Sequence, residues 1–110
     1  MSSYYRPEQL GQFEKIAEGG KELAEKFFDW YGAVFREGAL SEREKALIAL
    51  AVAHAVQCPY CIDAFTRECI AEGMEMDHIT EAIHTASAVR GGAALIHGLQ
   101  AQNVAEKILL

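Results

Sequence analysis

The chain has 110 residues, 51% of them apolar and 24% charged, an ordinary balance for one soluble globular domain spanning 1–110. At this length folding buries roughly two-thirds of the surface that the unfolded chain exposes. Its net charge of −6, with no run of Lys or Arg, argues against a nucleic-acid partner, because neutralising phosphate needs clustered cations. The opening MSSYYRPEQLGQFEK has no apolar stretch of the signal-peptide kind. The longest apolar run, Ala46 to Val56, is about half the ~20 residues that span a bilayer. A cytoplasmic protein without a membrane partner is expected.

The periodicity predicts an all-α fold of about six helices. Pro7 fits the first turn of a short helix running to about Glu18 and closed by Gly19-Gly20. Leu23, Phe27, Trp30, Tyr31, Val34 and Phe35 recur at helical steps, one apolar stripe of an amphipathic helix that ends by Gly38. Ser41-Glu42-Arg43-Glu44 has the form of a capping box, Ser41 the N-cap and Glu44 the residue that reaches back. The helix it opens, Lys45 to about Gln57, is apolar almost all round and is expected to be the buried central helix. Pro59 disfavours helical geometry at Cys58, so a break is expected there. A fourth helix starts with Pro59 and closes at Gly73. Asp77 is placed as the cap of a fifth, with Ile79, Ala82, Ile83, Ala86 and Val89 inward. Gly91-Gly92 is expected to divide it from a sixth through Leu95, Ile96, Leu99, Val104 and Ile108.

The chemistry concentrates in HAVQCPYC, residues 54–61. The same CPYC letters occur in glutaredoxin-like enzymes, but those place the motif after a buried strand. Here a helix precedes it, so the shared letters do not indicate that fold. Three cysteines, an odd number, do not suggest a disulfide framework. A helix restarting at Pro59 puts Cys58 at or near an N-cap and Cys61 in the first turn, where free N–H groups and the helix dipole favour a thiolate. Residues three apart lie on one helix face, within plausible disulfide reach. A thiolate attacks a peroxide to give a sulfenic acid, with which a neighbouring thiol condenses.

Other readings stand beside this one. Two cysteines can simply fill a core. Zinc would need ligands beyond the cysteines, for Cys69 lies ~16 Å along a straight helix from Cys58 and ~12 Å from Cys61. His54 with His84 or His97 would have to complete such a site, and Cys69 is read as packing. His54, four residues before Cys58, is either the acid/base that activates a thiol or a core histidine bonded to a carbonyl. Tyr60 could hydrogen-bond a peroxide oxygen or pack. Glu68 is near in phase to Cys61 and could support it, though a solvated Glu is the simpler reading, and Glu44 is already explained by its cap. His84, Arg90 and His97 could serve the site or a subunit interface, and His78 is read as an exposed first-turn residue.

EKALIALAVAHAVQCPYCIDAFT followed by EAIHTASAVRGGAALIHG resembles the carboxymuconolactone decarboxylase superfamily, in its alkylhydroperoxidase AhpD-like branch, over about residues 20–105. The resemblance implies a helical fold assembled into homo-trimers or homo-hexamers with sites near subunit contacts. It also implies a peroxide-attacking Cys61 and a resolving Cys58. More narrowly, HAVQCPYCIDA with RGGAALIHG is similar to peroxidase-like proteins associated with arsenosugar biosynthesis. The branch's pattern places Glu twelve residues before the first cysteine and His four after the second; Ala46 and Phe65 stand there. With those two members of the proton relay missing, His54 is the candidate base, with Glu44 as a possible carboxylate support.

The expectation is therefore a thiol peroxidase or disulfide oxidoreductase with catalytic Cys61, Cys58 and His54. Tyr60, Glu44, Glu68 and His84 are the supporting positions. No organic cofactor or metal is implied, and the partners are a hydroperoxide or disulfide substrate and an unidentified thiol reductant. Two alternatives are a protein that holds a metal or trivalent arsenic on the thiols, and a lactone enzyme with the cysteines as bystanders.

Overall fold

A computed structural model describes residues 13–110, and the described part is helical throughout. Most of the helix expected from Pro7 lies outside the described residues; within them Phe13–Ala17 forms a 3-10 turn. Four α-helices follow: α1 Lys21–Phe35, α2 Glu42–Ala55, α3 Pro59–Ala71 and α4 Met76–Leu109. α2 packs on α3 and on the first half of α4, while α1 leans on α2 and on the 3-10 turn.

The capping box is formed as expected. Ser41 Oγ accepts the Glu44 N–H at 3.0 Å, and the Glu44 carboxylate accepts the Ser41 N–H at 2.9 Å. These bonds satisfy N–H groups that the first turn leaves unpaired. α1 ends at Phe35, and Lys45 crosses from α2 to donate to the Val34 and Arg36 carbonyls at 2.7 and 2.6 Å. A cation on the last carbonyls of a helix complements its dipole, and here it also pins α1 beside α2.

Two helix ends use the same closure. At the end of α3, Gly73 adopts φ 84°, its N–H donates to Ile70, and the Met74 N–H donates to Cys69 at 3.0 Å. At the end of α2, Gln57 adopts φ 57°, its N–H donates to His54, and the Cys58 N–H donates to Ala53 at 3.1 Å. Both are Schellman closures with a left-handed residue after the last helical turn.

The core is small: Ala46, Leu50, Cys69, Met74, Ile79 and Ala82, with Leu47, Phe65 and Ile83 packed against it. Cys69 is fully buried, in keeping with its reading as a packing residue. Several expectations are corrected. α2 is buried on one side only: Ala46, Leu50 and Ala53 face α3 and α4, whereas Ile48 and Val52 are about half exposed at 49% and 52%. Among the described residues that second face meets only α1, across an open cavity that Ile48 and Val52 line with Tyr31, Val34 and Phe35. The cap of α4 is Glu75 rather than Asp77, and the Glu75 N–H donates to His78 Nδ1 at 3.1 Å, so His78 is half-buried in a capping contact.

The fifth and sixth helices are one. Gly91 and Gly92 sit inside the 34-residue α4. Two glycines cost about 1 kcal/mol each against Ala, but they do not stop a helix unless one turns left-handed, and among the described residues only Gly19 and Gly73 are glycines with positive φ. Arg90 before them, Ala93 and Ala94 after them, and the absence of a following proline let the helix continue. It is ~51 Å long, and beyond Ala86 none of its residues is buried. Val89, Leu95, Ile96, Leu99, Val104 and Ile108, expected inward, are exposed. The radius of gyration is accordingly 18.7 Å, against ~13 Å for a compact domain of about 100 residues.

Candidate active site

The left-handed turn at Gln57 delivers the chain directly into α3. Cys58 takes an extended conformation, φ −104° and ψ 100°, with Pro59 behind it in the first turn. That is the N-cap predicted from the proline. The Cys61 N–H donates to Cys58 Sγ at 3.2 Å, so the thiol sulfur occupies the place that a Ser or Asp oxygen takes in an ordinary cap. Both cysteines are free and half-buried. The Cys61 thiol also hydrogen-bonds to Cys58, and burial first, then that bond and the Cys58 charge, push its pKa up to about 11.

Cys61 stands in the wall of an open apolar cavity of about 450 Å³, with Tyr31, Phe35, Val52, Ala53 and Phe65 among the other walls. Lys45 also lines it, but its ammonium is held by the two carbonyls at the end of α1. Cys58 and His54 are not among the cavity walls. Phe35 and Phe65 stack with ring centres 5.3 Å apart, and Tyr31 continues the row 4.8 Å from Phe35.

Tyr31 is the residue that sequence reasoning missed. Its pKa is raised by burial first and then by Cys61, Tyr60 and Cys58, which puts its phenol beside both thiols. The apolar stripe of α1 gave no sign of this, because Tyr31 fits that stripe as well as Phe does. Tyr60, expected near the thiols from its place between them, belongs to the same group.

The other candidates are placed as follows. His54 Nδ1 lies 2.9 Å from the Leu50 carbonyl. With the ring neutral, Nδ1–H donates there and Nε2 is the nitrogen left to accept a proton. Glu44 is exposed and spends its carboxylate on Ser41. Glu68 lines a second cavity of about 390 Å³, on which Tyr31, Phe35 and Phe65 also border. His84 and His97 are exposed on α4, and Arg90 donates from Nη1 to the Ala55 carbonyl at the end of α2. The relay positions are filled by packing: Ala46 is in the core and Phe65 is the stacked ring. Among the described residues no three His, Cys, Asp or Glu side chains gather as a metal site, and no helix is long and apolar enough to cross a membrane.

An all-helical domain with two free thiols on the opening turn of a helix, one of them walling an apolar cavity, is a helical dithiol protein. The chain matches the carboxymuconolactone decarboxylase family over residues 21–103 and belongs to that family. It is 35% identical over 108 residues to uncharacterized protein 4 in the cox locus of Paracoccus denitrificans, covering 98% of this chain and 97% of that one. A crystal structure from Methanobacterium thermoautotrophicum superposes with TM-score 0.74 and 34% identity over 77% of this chain and 96% of its own. A carboxymuconolactone decarboxylase family protein from Legionella pneumophila, in its apo form, gives TM-score 0.68 and 29% identity over 86% of this chain and 84% of its own. A family member from Thermotoga maritima, for which an antioxidative role has been suggested, gives TM-score 0.68 and 27% identity over 92% of this chain and 86% of its own.

Proposed function

We propose that this protein is a thiol-based oxidoreductase of the alkylhydroperoxidase-like kind, in which Cys58 and Cys61 cycle between dithiol and disulfide. The observation that supports this reading most is the Cys61 N–H to Cys58 Sγ bond of 3.2 Å. It fixes two free thiols on one helical turn, with a backbone donor already aimed at sulfur. In the oxidising half, a hydroperoxide ROOH takes up two electrons and two protons from the dithiol, giving ROH, water and the disulfide. In the reducing half, two thiols of an unidentified donor restore the pair and leave as their own disulfide. A small disulfide can replace ROOH as oxidant by exchange alone. His54 Nε2 is the proposed proton acceptor, with the Leu50 carbonyl holding the ring by Nδ1.

The reading includes self-association into a homo-trimer or homo-hexamer. The half-exposed Ile48 and Val52 of α2 and the exposed Leu95, Ile96 and Leu99 of α4 support it, since large apolar side chains left in water are what an interaction site covers. The antioxidative role suggested for the Thermotoga maritima relative agrees with peroxide reduction.

The test is a free-thiol count on reduced, metal-free protein before and after one equivalent of a small hydroperoxide. Loss of two thiols per chain, restored by a dithiol, is the expected result. Full survival of the thiols, or peroxide consumption unchanged in Cys61→Ser, overturns the peroxidase reading.

A further inference from the structure

The cavity that Cys61 walls is apolar almost throughout, and its polar side chains are Tyr31, Lys45 and Cys61 itself. Lys45 has nothing to offer a guest, because its ammonium already donates to the Val34 and Arg36 carbonyls. The Cys61 N–H is likewise committed, to Cys58 Sγ. Tyr31 differs. Its ring is fixed between Phe35 and Phe27, at 4.8 and 5.7 Å, while its hydroxyl meets no hydrogen-bond partner among the described residues. Tyr60, the other phenol near the thiols, is not among the cavity walls.

From this we infer that Tyr31 is a catalytic residue of the peroxide step, its phenol donating the proton that the leaving oxygen needs. The inference rests on the dithiol–disulfide reading above. A hydroperoxide ROOH in the cavity meets the Cys61 sulfur on one wall and the Tyr31 hydroxyl on another. Cys61, its proton passed to the base, attacks the terminal oxygen: the S–O bond forms and the O–O bond breaks. The electron pair of the broken bond stays on RO, which takes the Tyr31 proton and leaves as ROH. The phenolate regains a proton from solvent, to which Tyr31 is partly open, and the base releases the one it took. Cys58 then closes the disulfide, and the sulfenic hydroxyl leaves with the Cys58 proton as water.

The cavity makes that donor matter. An alkoxide is a far stronger base than a phenolate, so the transfer runs downhill, and an apolar wall offers an unprotonated alkoxide no substitute for water. The phenol holds its proton until then, because burial first, and then Cys61, Tyr60 and Cys58, raise its pKa above the ordinary 10.0. Its place is set before substrate arrives: Lys45 ties the end of α1, one turn beyond Tyr31, to α2.

The experiment compares the full wild-type chain with Tyr31→Phe, which keeps the ring in its row and removes only the hydroxyl. Loss of the Cys58 and Cys61 thiols is followed in single turnover with two oxidants. tert-Butyl hydroperoxide expels an alkoxide, which needs the proton; peracetic acid expels acetate, which leaves unaided. Tyr31→Phe should be ~100-fold slower with tert-butyl hydroperoxide, the lower end for a positioned general acid, and within ~3-fold of wild type with peracetic acid. Equal slowing with both oxidants would mean a structural role and overturn the inference, as would no slowing with either. A wild type that reacts with peracetic acid alone overturns it too. Wild-type thiols that survive both oxidants remove the dithiol–disulfide reading, and the role of Tyr31 with it. Oxidation of wild type and variant at one rate removes only the role of Tyr31.

Discussion

Replacing Gln57 by glycine should make the protein more stable, although the change deletes a side chain. Gln57 is held at φ 57° by the two closing bonds of α2, its own N–H to His54 and the Cys58 N–H to Ala53. An L-residue with a Cβ in that region pays about 1–2 kcal/mol. Glycine escapes that cost but loses about 0.5–1 kcal/mol more in backbone freedom on folding. The difference is a gain of about 0.5–1 kcal/mol, which for a domain of about this size raises the melting temperature by several degrees. Gln57→Val should move the other way, since a β-branched residue is the least tolerated there. Thermal and urea unfolding of the three proteins should be compared at one fixed protomer concentration, because the proposed self-association would make the midpoint depend on it. A glycine variant that melts at or below the parent refutes the left-handed closure. It would also refute the account of why Cys58 arrives as an N-cap, since the same turn sets both.

Leu50→Ala removes the largest fully buried aliphatic side chain and should cost about 3–5 kcal/mol by urea unfolding. Ser41→Ala should cost about 1 kcal/mol through the lost cap. Glu44 titrates below the usual carboxylate range because its carboxylate accepts from Ser41, backbone first and side chain second. The stability it adds is present above the ordinary carboxylate pKa and lost as pH falls through the lower, folded one; Glu44→Gln should therefore flatten the acid limb of a stability profile. Cys61 is shifted the other way, so its contribution is full below 9.0 and lost as pH rises through about 11, and Cys61→Ser should show a shallower fall over that window. A Val52→Asp, Leu99→Asp double variant places charge on both exposed apolar faces and should sediment as a smaller species than the parent.

The helical class, the capping box, the break at Cys58 and the cap role of that cysteine were legible because each has a local chemical sign: spacing, a Ser-x-x-Glu pair, a proline. The closure of α3 was legible for the same reason, since Gly73 announces a left-handed turn. The identical closure of α2 was not, because glutamine occupies the left-handed position and nothing in its chemistry says so. Gly91-Gly92 misled in the opposite sense. Glycine permits an ending without requiring one, and Ala93 and Ala94 directly after the pair favour the helix. Burial was overestimated for α2 and for the second half of α4 because an apolar residue declares a need for cover without saying which chain supplies it. Tyr31 was hidden by its double nature, a ring that fits a stripe and a phenol that shares the cavity wall with Cys61.

The two changed relay positions are explicable together with the cap. Ala46 lies at 2% exposure in the cluster that holds Leu50 and Cys69. A glutamate there would bury a carboxylate against apolar neighbours, at a cost of several kcal/mol unless an ion or donor met it. A histidine at 65 would supply that partner, but Phe65 is committed to the ring stack with Phe35. Losing one member of such a pair makes the other a liability, so the loss of both is the stable outcome. What is left beside the thiols is the proposed His54 base and the backbone of the helix start, whose Cys61 N–H reaches Cys58 Sγ at 3.2 Å and survives any substitution at 46 or 65. On this account, Phe65→His alone should not restore reactivity to Cys61, because the imidazole arrives without a carboxylate to hold and charge it. It should also weaken the stack on Phe35. Faster alkylation of Cys61 in that single variant than in the parent, at unchanged pH, would show that a side-chain relay can still be rebuilt on this scaffold.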